Sequence, residues 1–253
     1  LRLAISGQLG PDALASDEMA ETLSLCVSCK ACRRECPTGV DMARMKIEVQ
    51  AARAAKHGLS LHDRLVGYLP RYAALAARKP YWFNLRDDSP VLRRASETFA
   101  GFSVRRSLPK WRRDIYTDRS DWNYRPAQAD APVREVVLFA DTFNRYFERE
   151  NLDAAMRVLL AGGYRVHAAL PKDGDTRPLC CGRTFLSVGK VDEARKEMQR
   201  TLDALAPFAA RGVPIVGLEP SCLFTFRDEL PAVLKGEAAD QLSANAMLLE
   251  GFL

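Results

Sequence analysis

A helical, cysteine-bearing domain followed by an α/β domain with a parallel sheet is the fold class this sequence predicts. Three observations carry it. Four closely spaced cysteines in CVSCKACRRECP, residues 26–37, interrupt two stretches of helical spacing. Residues 100–132, with Pro109, Pro126 and Pro132 and mixed charge, break the regularity and read as a connector. Beyond them, short and nearly continuous apolar runs alternate with helical patterns, as strands covered on both faces by crossover helices do. The expected division is 1–99, a connector over 100–132, and 133–253.

The helical part begins at Ser16, a capping residue followed by the acidic first turn of Asp17 and Glu18, and should run to about residue 25. After Pro37 the pattern resumes: Ala43, Ile47, Ala51 and Ala54 share one stripe, and Gly58 is placed to cap the end. More helical spacing runs from Leu61 to about Ala77. In the second part, Glu135–Ala140 is the first expected strand, and Leu152, Ala155, Met156, Leu159 and Leu160 mark a helix ending at Gly162 and Gly163. Residues 164–168 form the second strand. A helix with Val191, Ala194, Met198, Leu202 and Leu205 turned inward should end or bend at Pro207, and residues 214–218 form the third strand.

Composition narrows the function. With 253 residues, 47% hydrophobic and 27% charged, the chain can bury two modest cores. No apolar run approaches the roughly 18 residues a membrane span needs, so a soluble chain is expected. The opening lacks the basic and apolar regions of a secretory signal. It also lacks an initiator Met, and MLLEGFL at the end reads as mid-helix, so a piece of a longer polypeptide is expected. The seven cysteines fall in clumps, which points to metal ligation in a reducing compartment rather than to a secreted disulfide framework. Cytoplasmic location follows, or the cytoplasmic face of the membrane. Basic residues concentrate between Arg105 and Arg119, with Trp82, Trp111 and Trp122 nearby. No nucleic-acid motif accompanies them, and a linker docking on an acidic partner domain explains them equally well, so no nucleic-acid partner is expected.

Cys26, Cys29 and Cys32 lie in the spacing that lets a tightly wound loop present three thiolates to a 4Fe-4S cluster, and Cys36-Pro37 completes the C-x2-C-x2-C-x3-C-P run. Structural zinc normally pairs two separated knuckles, and no second knuckle is near. Cys36 either closes the same cluster or leaves the fourth position to a ligand from elsewhere; the sequence favours Cys36. Lys30, Arg33 and Arg34 are placed to tune its potential. The second constellation is Cys180-Cys181-Gly182 with Cys222, in Glu219-Pro220-Ser221-Cys222. In a parallel sheet, the loops after the three strands meet at the carboxyl edge, where sites form. These thiols are candidates for a second metal or for disulfide exchange, or are buried apolar thiols. Asn144, Arg183 and Glu219 lie at the same edge as possible ligand contacts, Asn144 and Arg183 for an anionic group.

The cluster loop followed by VDMARMK, together with CCGR and EPSC some forty residues on, resembles the iron-sulfur region of FAD-linked D-2-hydroxyacid dehydrogenases of the D-lactate and D-2-hydroxyglutarate type. More distantly it is similar to the glycolate oxidase iron-sulfur subunit, the anaerobic glycerol-3-phosphate dehydrogenase C subunit and the heterodisulfide reductase B subunit. The resemblance implies a ferredoxin-like helical domain, then the first half of a CCG-type cysteine-rich domain. It further implies an FAD domain or subunit and a second CCG half outside this chain, with electrons passing from flavin through the cluster to a quinone or another acceptor. The sequence departs from the fullest CCG pattern, with Asp141-Thr142-Phe143-Asn144 where a cysteine follows the first strand and Glu219 where the terminal pair begins. Those departures tell against a noncubane cluster. Two other readings remain: a thiol-disulfide reductase component, and a zinc-binding or docking module.

Overall fold

The computed structural model describes residues 1–118 and 133–253. Trp122, Arg119, Pro126 and Pro132 lie outside the described residues. Helices dominate the first part: α1 (Arg2–Ile5), α2 (Asp17–Ser24), α3 (Ala31–Glu35), α4 (Met42–His57), α5 (Leu61–Gly67), α6 (Leu69–Arg78), α7 (Pro80–Asp88) and α8 (Pro90–Ala100). Ser16 caps α2 by accepting from the Met19 N–H, Asp41 caps α4 by accepting from the Arg44 N–H, and Gly58 ends α4 at φ 75°. Helix α4 buries Ala43, Val49 and Ala54, whereas Ile47 and Ala51 of the expected stripe are only half-buried.

The second part carries β1 (Arg134–Leu138), α9 (Thr142–Tyr146), α10 (Arg149–Ala161), β2 (Tyr164–Ala168), α11 (Arg183–Ser187), α12 (Val191–Ala209) and β3 (Ile215–Gly217). Helices α13 (Pro220–Phe224), α14 (Leu230–Val233) and α15 (Glu237–Asn245), strand β4 (Ala246–Leu248) and α16 (Leu249–Phe252) complete it. The sheet is parallel throughout, in the order β2-β1-β3-β4. One expectation is corrected. The end of the chain is a short strand and then a short helix, because Ala246–Leu248 pairs with β3. Helix α12 ends at Ala209, two residues past Pro207. Among the described residues no helix is long and apolar enough to cross a membrane.

Contacts divide the chain into two compact units, Leu1–Tyr68 with Thr184–Asp192, and Leu69–Arg183 with Glu193–Leu253. The first has a small core of Ala4, Ala13, Met19, Leu23 and Val49. In it Gly189, at φ +73°, lies so close to Gln50 that an added Cβ would sit 2.3 Å from its carbonyl carbon. The second unit packs α10 against β1 and β2 through Leu152, Met156, Leu159, Val136 and Leu138. Within the expected connector, Tyr116 joins that core, and Trp111 packs against Phe147 with ring centroids 4.7 Å apart.

Candidate cluster loop and thiol site

The first unit holds the loop from Cys26 to Cys36. Ser28 and Lys30, at φ 58° and 60°, are its two non-glycine residues in the left-handed region, a conformation that L side chains adopt at a cost and that clusters at functional sites. They wind the chain so that Cys29 is exposed and Cys26, Cys32 and Cys36 are half-exposed; none is in a disulfide. The Met42 N–H donates to Cys32 Sγ at 3.4 Å, and Lys46 Nζ donates to the Cys26 carbonyl at 2.6 Å. Cys36 Sγ lies 3.1 Å from the Thr38 hydroxyl. That hydroxyl, with backbone groups of Val40 and Thr38, holds the Cys36 thiol below its ordinary value, favouring the thiolate a metal requires. Arg33 sits 4.0 Å from Asp41, whose carboxylate also meets Arg44 at 3.5 Å. Among the described residues no three His, Cys, Asp or Glu side chains are drawn together as a finished metal site.

The second unit holds the other thiols. Strand order reverses between β1 and β3, so the loops leaving those strands flank the crevice where α/β sheets bind ligands. Asp141, directly after β1, is buried and caps α9 through the Phe143 and Asn144 N–H groups. Burial pushes its carboxyl upward. Glu219, after β3, caps α13 through the Ser221 N–H, and its charge and that of Asp141 both act on Cys222. Cys181 Sγ donates to Cys222 Sγ at 3.2 Å. Cys180 Sγ accepts from the Gly182 N–H at 3.4 Å, and Cys180 acts on both Cys181 and Cys222. The Cys181 contact and burial hold the Cys180 thiol well above its ordinary value. For Cys181 the Cys180 contact acts downward, but its bond to Cys222 and burial prevail and raise it.

Asn144 is buried: its Nδ2 donates to Asp141 Oδ2 at 2.7 Å and its Oδ1 accepts from Asn151 Nδ2 at 3.0 Å. Arg183 pairs with the buried Glu229 at 3.2 Å, which balances its charge inside the protein. A cleft of about 630 Å³ opens at this edge, with Phe143, Asn144, Asn151, Leu218, Glu219 and Glu250 among its walls.

Glycine is required in the Cys-Cys-Gly triplet. Gly182 has φ +82°, and a Cβ there would lie 2.9 Å from the Ala194 carbonyl oxygen on α12. Gly182→Ala is expected to cost roughly 2–4 kcal/mol from strain and overlap, read as a lower urea midpoint at unchanged slope.

Sequence reasoning passed over Glu197 and Thr201. Thr201 donates to the Cys180 carbonyl at 2.8 Å, and Glu197, 1% exposed, accepts from Arg177 at 2.8 Å and meets Arg71 and Arg200 at 3.4 and 3.3 Å. The signal was present, because residues 197 and 201 fall on the inward stripe of α12. Together they fasten the chain on either side of Cys180 to that helix.

Among the known proteins this chain is similar to are several named as dehydrogenases. The chain is 26% identical over 231 residues to the D-2-hydroxyglutarate dehydrogenase of Escherichia coli (strain K12), covering 89% of this chain and 22% of that protein. It is 27% identical over 234 residues to the Pseudomonas putida protein of the same name, covering 86% of this chain and 22% of the relative. The C subunit of the anaerobic glycerol-3-phosphate dehydrogenase of Escherichia coli (strain K12) matches at 28% over 131 residues, 51% of this chain and 31% of that protein. No family model matches, and no solved structure matches significantly. The chain is thus similar, over most of its length, to a portion making up about a fifth of much longer D-2-hydroxyglutarate dehydrogenases.

Proposed function

We propose that this chain is the iron-sulfur electron-transfer portion of an FAD-dependent D-2-hydroxyacid dehydrogenase, the substrate being of the D-lactate, D-2-hydroxyglutarate or glycolate type. The observation that carries the reading is the complete C-x2-C-x2-C-x3-C-P loop in a chain whose relatives are dehydrogenases. The donor set fits a 4Fe-4S cluster: four soft thiols outside any disulfide, one biased toward thiolate, on a loop wound by two left-handed residues. Cys26, Cys29, Cys32 and Cys36 would hold it, and when bound it would pass electrons singly from flavin toward a quinone or other acceptor. Lys46 fixes the backbone at Cys26, the Met42 N–H steadies the Cys32 sulfur, and Lys30, Arg33 and Arg34 set the local field.

The flavin domain and a second CCG half are partners in this reading, the cytoplasm is its compartment, and the functional division is 1–99, 100–132 and 133–253 with ferredoxin-like and CCG character. Iron and acid-labile sulfide analysis after anaerobic purification tests it. About four of each per chain are expected, and zinc in their place would overturn it.

A second reading of the thiol site is favoured by the 3.2 Å separation of Cys181 and Cys222. The two thiols lose two protons and two electrons to a disulfide-type or azo oxidant, forming one S–S bond. After treatment with diamide, peptide mapping should recover a disulfide joining Cys181 to Cys222, two hydrogens lighter than the separate peptides, and Cys222→Ser should abolish that linked pair. A stoichiometric metal ligated by Cys180, Cys181 and Cys222 would remove this reading in favour of a second metal site.

A further inference from the structure

Helix α8 is amphipathic in the inverted sense, and α7 carries Tyr81, Trp82 and Phe83 outward. Helix α7 buries only Arg86, and α8 buries only Ala100. Their polar groups face inward: Arg86 bonds Ser96 Oγ at 2.8 Å and the carbonyls of Phe102, Ser103 and Arg106 at 3.1, 2.7 and 2.9 Å. Their large apolar side chains face out. Trp82 is 69% exposed and Phe99 76%, and Tyr81, Phe83, Val91 and Leu92 are exposed with them. On α8, Val91, Leu92 and Phe99 fall on one helical stripe and are exposed.

The charge of this region differs from that of the rest of the chain. Residues 69–113 contain eleven Arg and Lys against three Asp and Glu, a net +8, although the whole chain carries +5. The remainder is therefore net negative. Arg78, Lys79, Arg94, Arg105, Arg106 and Lys110 are exposed and take part in none of the described ion pairs.

We propose that the α7–α8 hairpin is a membrane-surface site, which seats Trp82, Tyr81 and Phe99 at the headgroup boundary of a bilayer rich in anionic phospholipid. Trp and Tyr favour that boundary because one end of each ring is apolar and the other polar. The surrounding Arg and Lys meet lipid phosphates while their stems lie along the apolar phase. Neither signal suffices alone for stable attachment, and this surface supplies both. A second copy is a poor occupant, since two faces of the same strong positive charge repel. This inference is independent of whether the loop at Cys26–Cys36 holds a cluster.

The test is sedimentation with large unilamellar vesicles of either equal phosphatidylglycerol and phosphatidylcholine or phosphatidylcholine alone. Binding to the first should exceed binding to the second by about tenfold or more and should weaken with salt. Trp82→Ser with Phe99→Ser, and separately Arg105→Glu with Arg106→Glu, should each lower it by about tenfold at unchanged circular dichroism. Quenching of unsubstituted protein by phospholipid brominated on its acyl chains should place a tryptophan in the bilayer, a readout that does not depend on the variants folding. No binding to the anionic vesicles would overturn the proposal and leave an acidic protein surface as the occupant. Equal binding to both vesicles, or binding undiminished by the aromatic substitutions, would also overturn it.

Discussion

Cys29→Ser is expected to yield a folded protein that retains less than one iron of the about four bound by the unsubstituted chain. Cys29 is exposed and no packing rests on it, so its loss alters ligation and leaves the fold intact. A serine hydroxyl is a hard donor that stays protonated near neutral pH, and it does not replace a thiolate on iron. Even partners that only orient a ligand are worth about 10–100-fold in affinity or activity, so loss of a ligand should lower electron transfer by about 100-fold or more. Iron content, visible absorbance and single-turnover reduction of a dye check this together. Full iron in the variant would remove Cys29 from the ligand set. The same measurement on Cys36→Ser asks whether Cys36 closes the same cluster; retained iron there would send the fourth position to another residue.

Glu197→Ala is expected to cost about as much in stability as Gly182→Ala. Its carboxylate is buried among Arg71, Arg177 and Arg200, which also reach Glu193, Asp173 and Asp175. Removing one member of a fully buried pair costs about 3–5 kcal/mol. These arginines keep partial solvent contact and second carboxylates, so roughly 2–4 kcal/mol is expected here, or a fall in Tm of about 5–15 °C. Because Arg177 and Thr201 hold the segment around Cys180 to α12, the variant should also alkylate faster at Cys180 and Cys181 under native conditions. A stability loss below about 1 kcal/mol would show that the cluster of charges is only a solvated surface network.

Much of this architecture was legible in the sequence because local signals and burial agreed. Helix α10 and strands β1 and β3 bury the apolar residues their pattern marks, and Ser16 and Asp41 cap α2 and α4, although α4 turns Val49 inward and leaves Ile47 and Ala51 half-buried. Helices α7 and α8 escaped because their apolar residues face solvent, so the usual inward stripe does not exist, although Pro80 and Pro90 stand at the first helical positions where proline is favoured. Strand β4 escaped because three residues cannot display a period of two, and its identity comes from pairing with β3. The convergence of Asp141, Cys181, Glu219 and Cys222 was legible from topology alone, since they leave the carboxyl edge of one parallel sheet. That Arg183 would be balanced by Glu229, and Asn144 held between Asp141 and Asn151, required side-chain positions that spacing does not supply.

The central claim, that the loop from Cys26 to Cys36 carries electrons on a cubane cluster, is tested most directly by low-temperature EPR of the anaerobically purified chain before and after dithionite. The account predicts a silent oxidised protein and, on reduction, one rhombic signal near g 2 that integrates to about one spin per four irons. A protein that contains zinc and gives no signal in either state would contradict it.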